Sequence, residues 1–225
     1  MNVLRMLMWA CFAGAFVALV MIISSPANAK IKDKLSYDSP YKELHFTRNT
    51  CSGTYIAPNI IVTAAHCVGG YSLYRDKIVV DGFPSSFRLI YLNTKIGLIN
   101  VDGVAVIKLL DTKYEYGLAK SSKRAINKDD TFSSDCVGYR RGRPKRFTHN
   151  NFKLVFNKQN HLMIGFAKHP TAGGCSGAAL VNKDGDIQGV LLYTFEFRGE
   201  NNTGYYLFDK KDRKVLNMII RRLND

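Results

Sequence analysis

Acidic residues are scarce in this chain. Against 32 lysines and arginines stand 18 aspartates and glutamates, for a formal net charge of +14 at pH 7. That excess implies attraction to anionic surfaces, polymers or acidic substrates, and carries no information about fold. Internal repeats, low-complexity tracts and long Pro/Gly/Ser linkers are also missing from residues 30–225, which excludes solenoids and modules strung on tethers. His149, His161 and His169 lack the paired spacing of a zinc site, so no metal and no cofactor is expected.

The start of the chain has its own character. Met1–Arg5 is short and basic, residues 6–23 are almost continuously apolar, and Pro26 and the triplet Ala27-Asn28-Ala29 follow. This layout predicts a secretory signal peptide over residues 1–29, cleaved after Ala29, and a protein that is secreted or periplasmic. The apolar run sits at the lower edge of what spans a bilayer, and the helix-breaking Pro26 favours cleavage over an anchor. Cys11 leaves with the leader. Cys51, Cys67, Cys136 and Cys175 remain, an even count that in an exported chain implies two disulfides with three possible connectivities. Export argues against a specific nucleic-acid partner.

What remains reads as short strands parted by turn signals. Residues 51–57, 60–65, 77–81, 87–93, 103–110, 133–138, 151–157, 160–166, 177–182 and 187–197 are rich in Val, Ile, Leu, Tyr and Phe. Between them lie Pro58-Asn59, Gly69-Gly70, Asp81-Gly82, Lys158-Gln159-Asn160 and Lys183-Asp184-Gly185-Asp186. The spacing predicts an all-β barrel or sandwich. Residues 212–223 break the pattern: Val215, Met218, Ile219 and Leu223 recur at helical spacing, which predicts one apolar helical face.

Two segments carry chemistry. The first, residues 51–67, ends in Thr63-Ala64-Ala65-His66-Cys67, and the second is Gly173-Gly174-Cys175-Ser176-Gly177 leading into Ala178–Val181. The first resembles the catalytic-histidine segment, and the second the nucleophile turn, of the trypsin/chymotrypsin serine protease family, in the family's chain order. The likeness extends loosely over residues 42–225, as in a compact bacterial-type member. It implies two six-stranded antiparallel β-barrels with a C-terminal helix in a single protease domain, residues 30–225, crossing between barrels near residues 112–130. It implies Ser176 as nucleophile and His66 as its base, with the N–H groups of Gly174 and Ser176 as the oxyanion hole. A Cys51–Cys67 bridge would pin the histidine turn, worth roughly 3 kcal/mol for a loop of about 15 residues. Cys136, in a Cys-Val-Gly-Tyr setting, is the partner expected for Cys175.

Asp102 is the expected triad acid, although Val104-Ala105-Val106 aligns Gly103 with the usual acid position. One residue on a strand reverses a side chain, and a bulge at Gly103 would restore its direction. Asp111 is the second choice. Cys175 stands where animal digestive members carry an activating Asp, so activation through the new N-terminus is not expected. The Gly-x-nucleophile-Gly register puts Ser176, not Cys175, at the attacking position. The substrate pocket is expected at Thr171, Leu192, Tyr193, Thr194 and Gly204. Pro170 and Leu191 occupy the places of the acid of trypsin-like enzymes and the His of glutamate-specific relatives, and Thr194 replaces a usual Gly. A pocket for small or medium uncharged side chains follows.

The run Arg140–Arg146 reads either as an anion-binding patch or as a solvated loop, and also as a site of self-cleavage. The expectation is a monomeric, secreted serine endopeptidase acting on protein or peptide substrates, with an anionic surface or polymer as a further partner. The alternatives are a non-catalytic binding protein on the same fold and an esterase using the same triad.

Overall fold

A computed structural model describes residues 41–46, 49–69, 76–96, 101–111, 119–122, 124–159 and 162–224. The signal-peptide reading and part of the expected crossing lie outside them.

Six strands close the first barrel: β1 (Tyr41–Phe46), β2 (Thr50–Ala57), β3 (Ile60–Ala64), β4 (Asp76–Val80), β5 (Phe83–Ile96) and β6 (Val101–Leu109). Their order around it is β1-β2-β3-β6-β5-β4, antiparallel throughout. Aliphatic and aromatic side chains at Leu44, Tyr55, Ile61, Val62, Phe87, Val106 and Ile107 belong to the apolar cluster within and around it, each at most 2 % exposed. Closure removes the free strand edges that a small sheet would otherwise present.

The second half is a sheet of β7 (Lys120–Ser121), β8 (Phe132–Arg140), β9 (Arg143–Phe152), β10 (Val155–Gln159), β11 (Leu162–Ala167), β12 (Ala179–Asn182), β13 (Asp186–Phe197) and β14 (Glu200–Leu207). Its order is β10-β11-β14-β13-β12-β8-β9, with β7 beside β13 in parallel. All-β architecture and a C-terminal helix are as expected, but the second unit holds eight strands rather than six. Among the described residues, β9 and β10 form its two edges. The chain itself joins them through Lys153-Leu154, and buried Leu154 packs against Gly165 of β11 at this corner. Alternating burial along β8, with Phe132, Ser134, Cys136 and Gly138 inward, gives this sheet its own core around Phe147, Leu180, Leu191 and Tyr205. Val190, Leu192 and Tyr206 instead join the apolar cluster of the first barrel.

Three of the two-residue hairpin turns, Asp81-Gly82, Arg141-Gly142 and Arg198-Gly199, have both residues at positive φ. The run Arg140–Arg146 is therefore a hairpin, not the loop that one reading of the sequence expected. Its charges conceal the strands, and Arg-Gly is a weaker turn signal than Asp-Gly.

Helix α1 (Lys210–Asn224) closes the chain. Asp209 and Asp212 form a reciprocal cap: the Asp212 amide donates to Asp209 Oδ1 at 2.9 Å and the Asp209 amide to Asp212 Oδ2 at 3.0 Å. Asp212 is fully buried and also accepts from Tyr91 Oη (2.9 Å), Asn93 Nδ2 (2.8 Å) and Tyr206 Oη (2.6 Å), tying helix, first barrel and second sheet together. Burial and this carboxylate push the Tyr91 and Tyr206 phenols up, so both stay protonated donors. Asp212 also sets the phase of the helix. Leu216, one turn on, is fully buried, with Ile219 and Ile220 packed against the same cluster, whereas Met218 is 43 % exposed. The expected face through Val215 and Met218 is thus rotated, because a polar anchor rather than apolar spacing fixes which side faces in. Replacing Asp212 by Ala leaves buried hydroxyl and amide donors without an acceptor. It should cost about 3 kcal/mol or more in urea unfolding, with Asp212→Asn losing less.

Candidate functional site

The histidine turn follows directly from β3. Ala64 and Ala65 are buried and small enough for the chain to tighten into a single 3₁₀ turn, Ala65–Val68, which carries half-buried His66. Cys51 and Cys67 are bonded across its base. A ring nitrogen of His66 lies within 4.8 Å of both sulfurs, but the disulfide removes both thiolates as metal ligands and leaves the imidazole alone. Burial lowers the His66 pKa below its ordinary value, which keeps the ring neutral and able to accept a proton at pH 7.

The serine turn is held from several sides. Cys175 is bonded to Cys136 of β8, the expected pairing. Ser52 of β2 donates its amide to the Ser176 carbonyl at 2.7 Å and its hydroxyl to the Gly174 carbonyl at 2.9 Å. Thr63 Oγ1 in turn donates to the Ser52 carbonyl at 2.7 Å. Gly177 sits at φ 90 so close to this junction that a Cβ would fall 2.2 Å from the Ser52 oxygen and from Thr63 Oγ1, leaving room for glycine alone. The Cys67 sulfur is 3.6 Å from the Ser176 carbonyl oxygen, so the histidine and serine turns abut.

Planar trans peptides then orient the remaining amides. The Gly173 carbonyl accepts from Tyr139 N–H at 2.7 Å, which points the Gly174 N–H the opposite way. The Cys175 carbonyl accepts from Ala178 N–H at 3.0 Å and does the same for Ser176 N–H. Neither Gly174 N–H nor Ser176 N–H donates to any of the described residues. Tyr139 reinforces the arrangement: its ring borders Gly174, and its hydroxyl donates to the buried Glu43 carboxylate of β1. Burial and that carboxylate raise the Tyr139 pKa. His45 lies 3.0 Å from the same carboxylate. Ser52 and Glu43 were not singled out from the sequence, and Thr63 and Tyr139 only as parts of quoted motifs, because nothing local marks a buried polar residue on a strand as a cross-barrel bond.

The Ser176 hydroxyl donates to the Leu192 carbonyl at 2.9 Å. Leu192 is the extra residue of a β-bulge: Leu191 pairs with Tyr205 and Tyr193 with Gly204, leaving Leu192 unpaired. Asp102 has a described backbone, opposite Lys95, while its side chain lies outside the described residues. No bulge occurs at Gly103. The register Asn93–Val104, Thr94–Gly103, Lys95–Asp102 runs without a shift, and Gly103 instead takes φ 150, where a Cβ would meet the Asn93 oxygen at 1.9 Å. Asp111 is exposed and accepts the Ser86 amide at 2.9 Å.

Of the expected pocket residues, four lie near one another, whereas the Leu192 side chain is buried in the apolar cluster of the first barrel. Thr171 and Thr194 share a hydroxyl–hydroxyl hydrogen bond, Thr203 Oγ1 lies 3.3 Å from Thr171 Oγ1, and Gly204 faces the Tyr193 ring. Behind them Thr203 donates to the His169 carbonyl at 2.8 Å, and His169 Nε2 meets Tyr205 Oη at 3.2 Å. Burial, with a smaller contribution from His149 whose ring is 3.9 Å away, brings the His169 pKa down to about 4.

A closed six-stranded barrel joined to a second antiparallel sheet, with a histidine turn and a glycine-flanked serine turn bolted across their junction, defines a trypsin-like protease fold. The chain belongs to the trypsin-like peptidase domain family, whose model matches residues 51–190. Comparison with curated proteins gives no match. Among solved structures, a serine endoprotease from Yersinia pestis is similar at 19 % identity and TM-score 0.56, over 83 % of this chain and 67 % of that one. The serine protease of a human pathogenic astrovirus is similar at 18 % identity and TM-score 0.52, over 77 % and 91 %. An inactivated protease paralogue from the scabies mite is similar at 16 % identity and TM-score 0.56, over 80 % and 91 %. At these identities the likeness is one of fold.

His169 gives the site region a pH dependence. Unfolded, its imidazole binds a proton near pH 6.5; folded, only near pH 4. The unfolded state therefore holds more protons between those values, and stability falls as pH drops from about 6.5 to about 4. Urea unfolding across that range should show this slope, and the NMR titration of His169 should show a midpoint well below that of a free histidine.

Proposed function

We propose that the chain is an exported serine endopeptidase. The observation that carries this reading is the pair of unengaged amides at Gly174 and Ser176, aimed by their neighbours' hydrogen bonds, beside a neutral, half-buried His66. In the reaction, the Ser176 hydroxyl rotates from the Leu192 carbonyl to His66, which takes its proton as the oxygen attacks a peptide carbonyl. The Gly174 and Ser176 amides hold the resulting oxyanion; one such donor is typically worth about 10²–10³ in rate. His66 then protonates the leaving amine; a water that gives its proton to His66 attacks the acyl group, and the bond to Ser176 breaks as His66 returns that proton to its oxygen. Asp102 is assigned to hold the imidazole tautomer, an assignment that rests on the positive φ of Gly103 turning its side chain in place of the bulge that is not there. Residues 1–29 direct export, and both disulfides suit an oxidising compartment.

The linked Thr171 and Thr194 hydroxyls support a pocket that takes a small or medium uncharged side chain. One observation favours the non-catalytic alternative: the Ser176 proton is bound to Leu192 rather than directed at His66. Cleavage of a random peptide library by the purified mature protein decides between them. The expected result is internal cuts after small or medium uncharged residues, lowered at least about 10³-fold by Ser176→Ala and by His66→Ala. Cuts mainly after Arg, Lys or Glu overturn the pocket assignment. Absence of turnover by folded protein overturns the enzyme, and ester hydrolysis indifferent to peptide length points to the esterase.

A further inference from the structure

Cations crowd the tip of the β8–β9 hairpin. Arg146 is accounted for, since its guanidinium pairs with Asp135 across the ladder. Arg140, Arg141, Arg143 and Lys145 are exposed, and among the described residues none has an acidic partner. With Pro144 they line a concavity of about 660 Å³.

Two features of this tip work against the stability of the free protein. Arg140 and Arg143 are direct register partners, so two like charges face each other across the last rung of the ladder. Between them Arg141 holds φ 52, a left-handed conformation that Asn, Asp or Gly accepts more readily. An anion seated in the concavity would relieve the repulsion, and guanidinium forks suit carboxylates.

Position indicates which anion. Arg140 follows directly on Tyr139, whose amide holds the Gly173 carbonyl and whose ring borders Gly174. A strand advances about 3.3 Å per residue, which puts the four cations within roughly 15 Å of the serine turn. The chain that a cleft at Ser176 would bring there is the substrate itself, extended, with its own residues spaced about 3.3 Å apart. We propose that the β8–β9 hairpin tip is a docking surface for an acidic segment of the polypeptide substrate, binding Asp and Glu side chains that lie a few residues from the scissile bond. This rests on the proteolytic reading above and adds a second determinant of substrate choice to the pocket.

The test uses two fluorescent peptides with one common cleavable core, flanked on both sides by Asp and Glu in one and by Ser and Gln in the other. Binding is measured by anisotropy on Ser176→Ala protein, and kcat/KM on protein with Ser176 intact. Each is repeated after combining Arg140→Gln, Arg141→Asn, Arg143→Gln and Lys145→Gln. The acidic peptide should bind on the order of ten-fold more tightly near 50 mM salt, and that preference should fade at high salt and vanish in the fourfold variant. The corresponding preference in kcat/KM should sit in KM. The fourfold variant should melt no lower than the parent, because the repulsion and the left-handed arginine are gone. Equal affinities for the two peptides, or a preference that survives the fourfold variant, overturns the proposal. So does hairpin-dependent binding of a sulfated polysaccharide without any preference for the acidic peptide, which would make a free polymer the partner. Hairpin-dependent binding of the acidic peptide with no cleavage of either peptide overturns the proteolytic reading alone.

Discussion

Ser52 is the bond on which the candidate site depends. This buried serine of the first barrel reaches across to the second sheet with its amide and its hydroxyl, and receives Thr63 on its carbonyl. Its two outward bonds fix the carbonyls of Gly174 and Ser176 and so anchor the serine turn, whose Gly174 and Ser176 amides are aimed by the Tyr139 and Ala178 bonds to the Gly173 and Cys175 carbonyls. Because Ser52 directly follows Cys51, which is bonded to Cys67 beside His66, a single residue registers the histidine turn against the serine turn. A clamp of short hydrogen bonds between strands is stiff, which is what pre-aimed donors require.

Stability is concentrated around the same junction. The disulfides close chain separations of 16 and 39 residues, and each ends on one of the two turns. Each contributes on the order of 3–4 kcal/mol in the chain-entropy model. Asp212 ties helix, barrel and sheet on another part of the fold, through donors that include Asn93 of β5. The carbonyl of Asn93 crowds Gly103, next to Asp102 in β6. Thus the strand bearing the proposed acid is positioned from behind by the C-terminal helix.

Much of this was legible in the residue string, and the parts that were not share a cause. The His66 and Ser176 turns announce themselves because their chemistry demands small neighbours: Ala64, Ala65, Gly174 and Gly177. Runs drawing on Val, Ile, Leu and Tyr marked β2, β3, β6 and β12. Strand β9 went unread because its exposed face is Arg, Lys and Pro, and β14 because Glu200-Asn201-Asn202 opens it like a loop. Neither strand's propensity announces it; pairing with a neighbour decides both. The helix was placed correctly but its face was not, since Asp212 is a buried anchor that apolar spacing cannot reveal. Ser52, Glu43 and Tyr139 depend on contacts between residues far apart in the chain, and no local pattern encodes them.

Everything proposed for the site requires a reactive Ser176, and covalent labelling reads that reactivity without a known substrate. Oxidised mature protein is treated with a fluorophosphonate and the adduct is located by mass spectrometry, with Ser176→Ala alongside. A single adduct on Ser176, absent from the variant, is the expected result. Folded protein that stays unlabelled, or that is labelled equally in the variant, would contradict it.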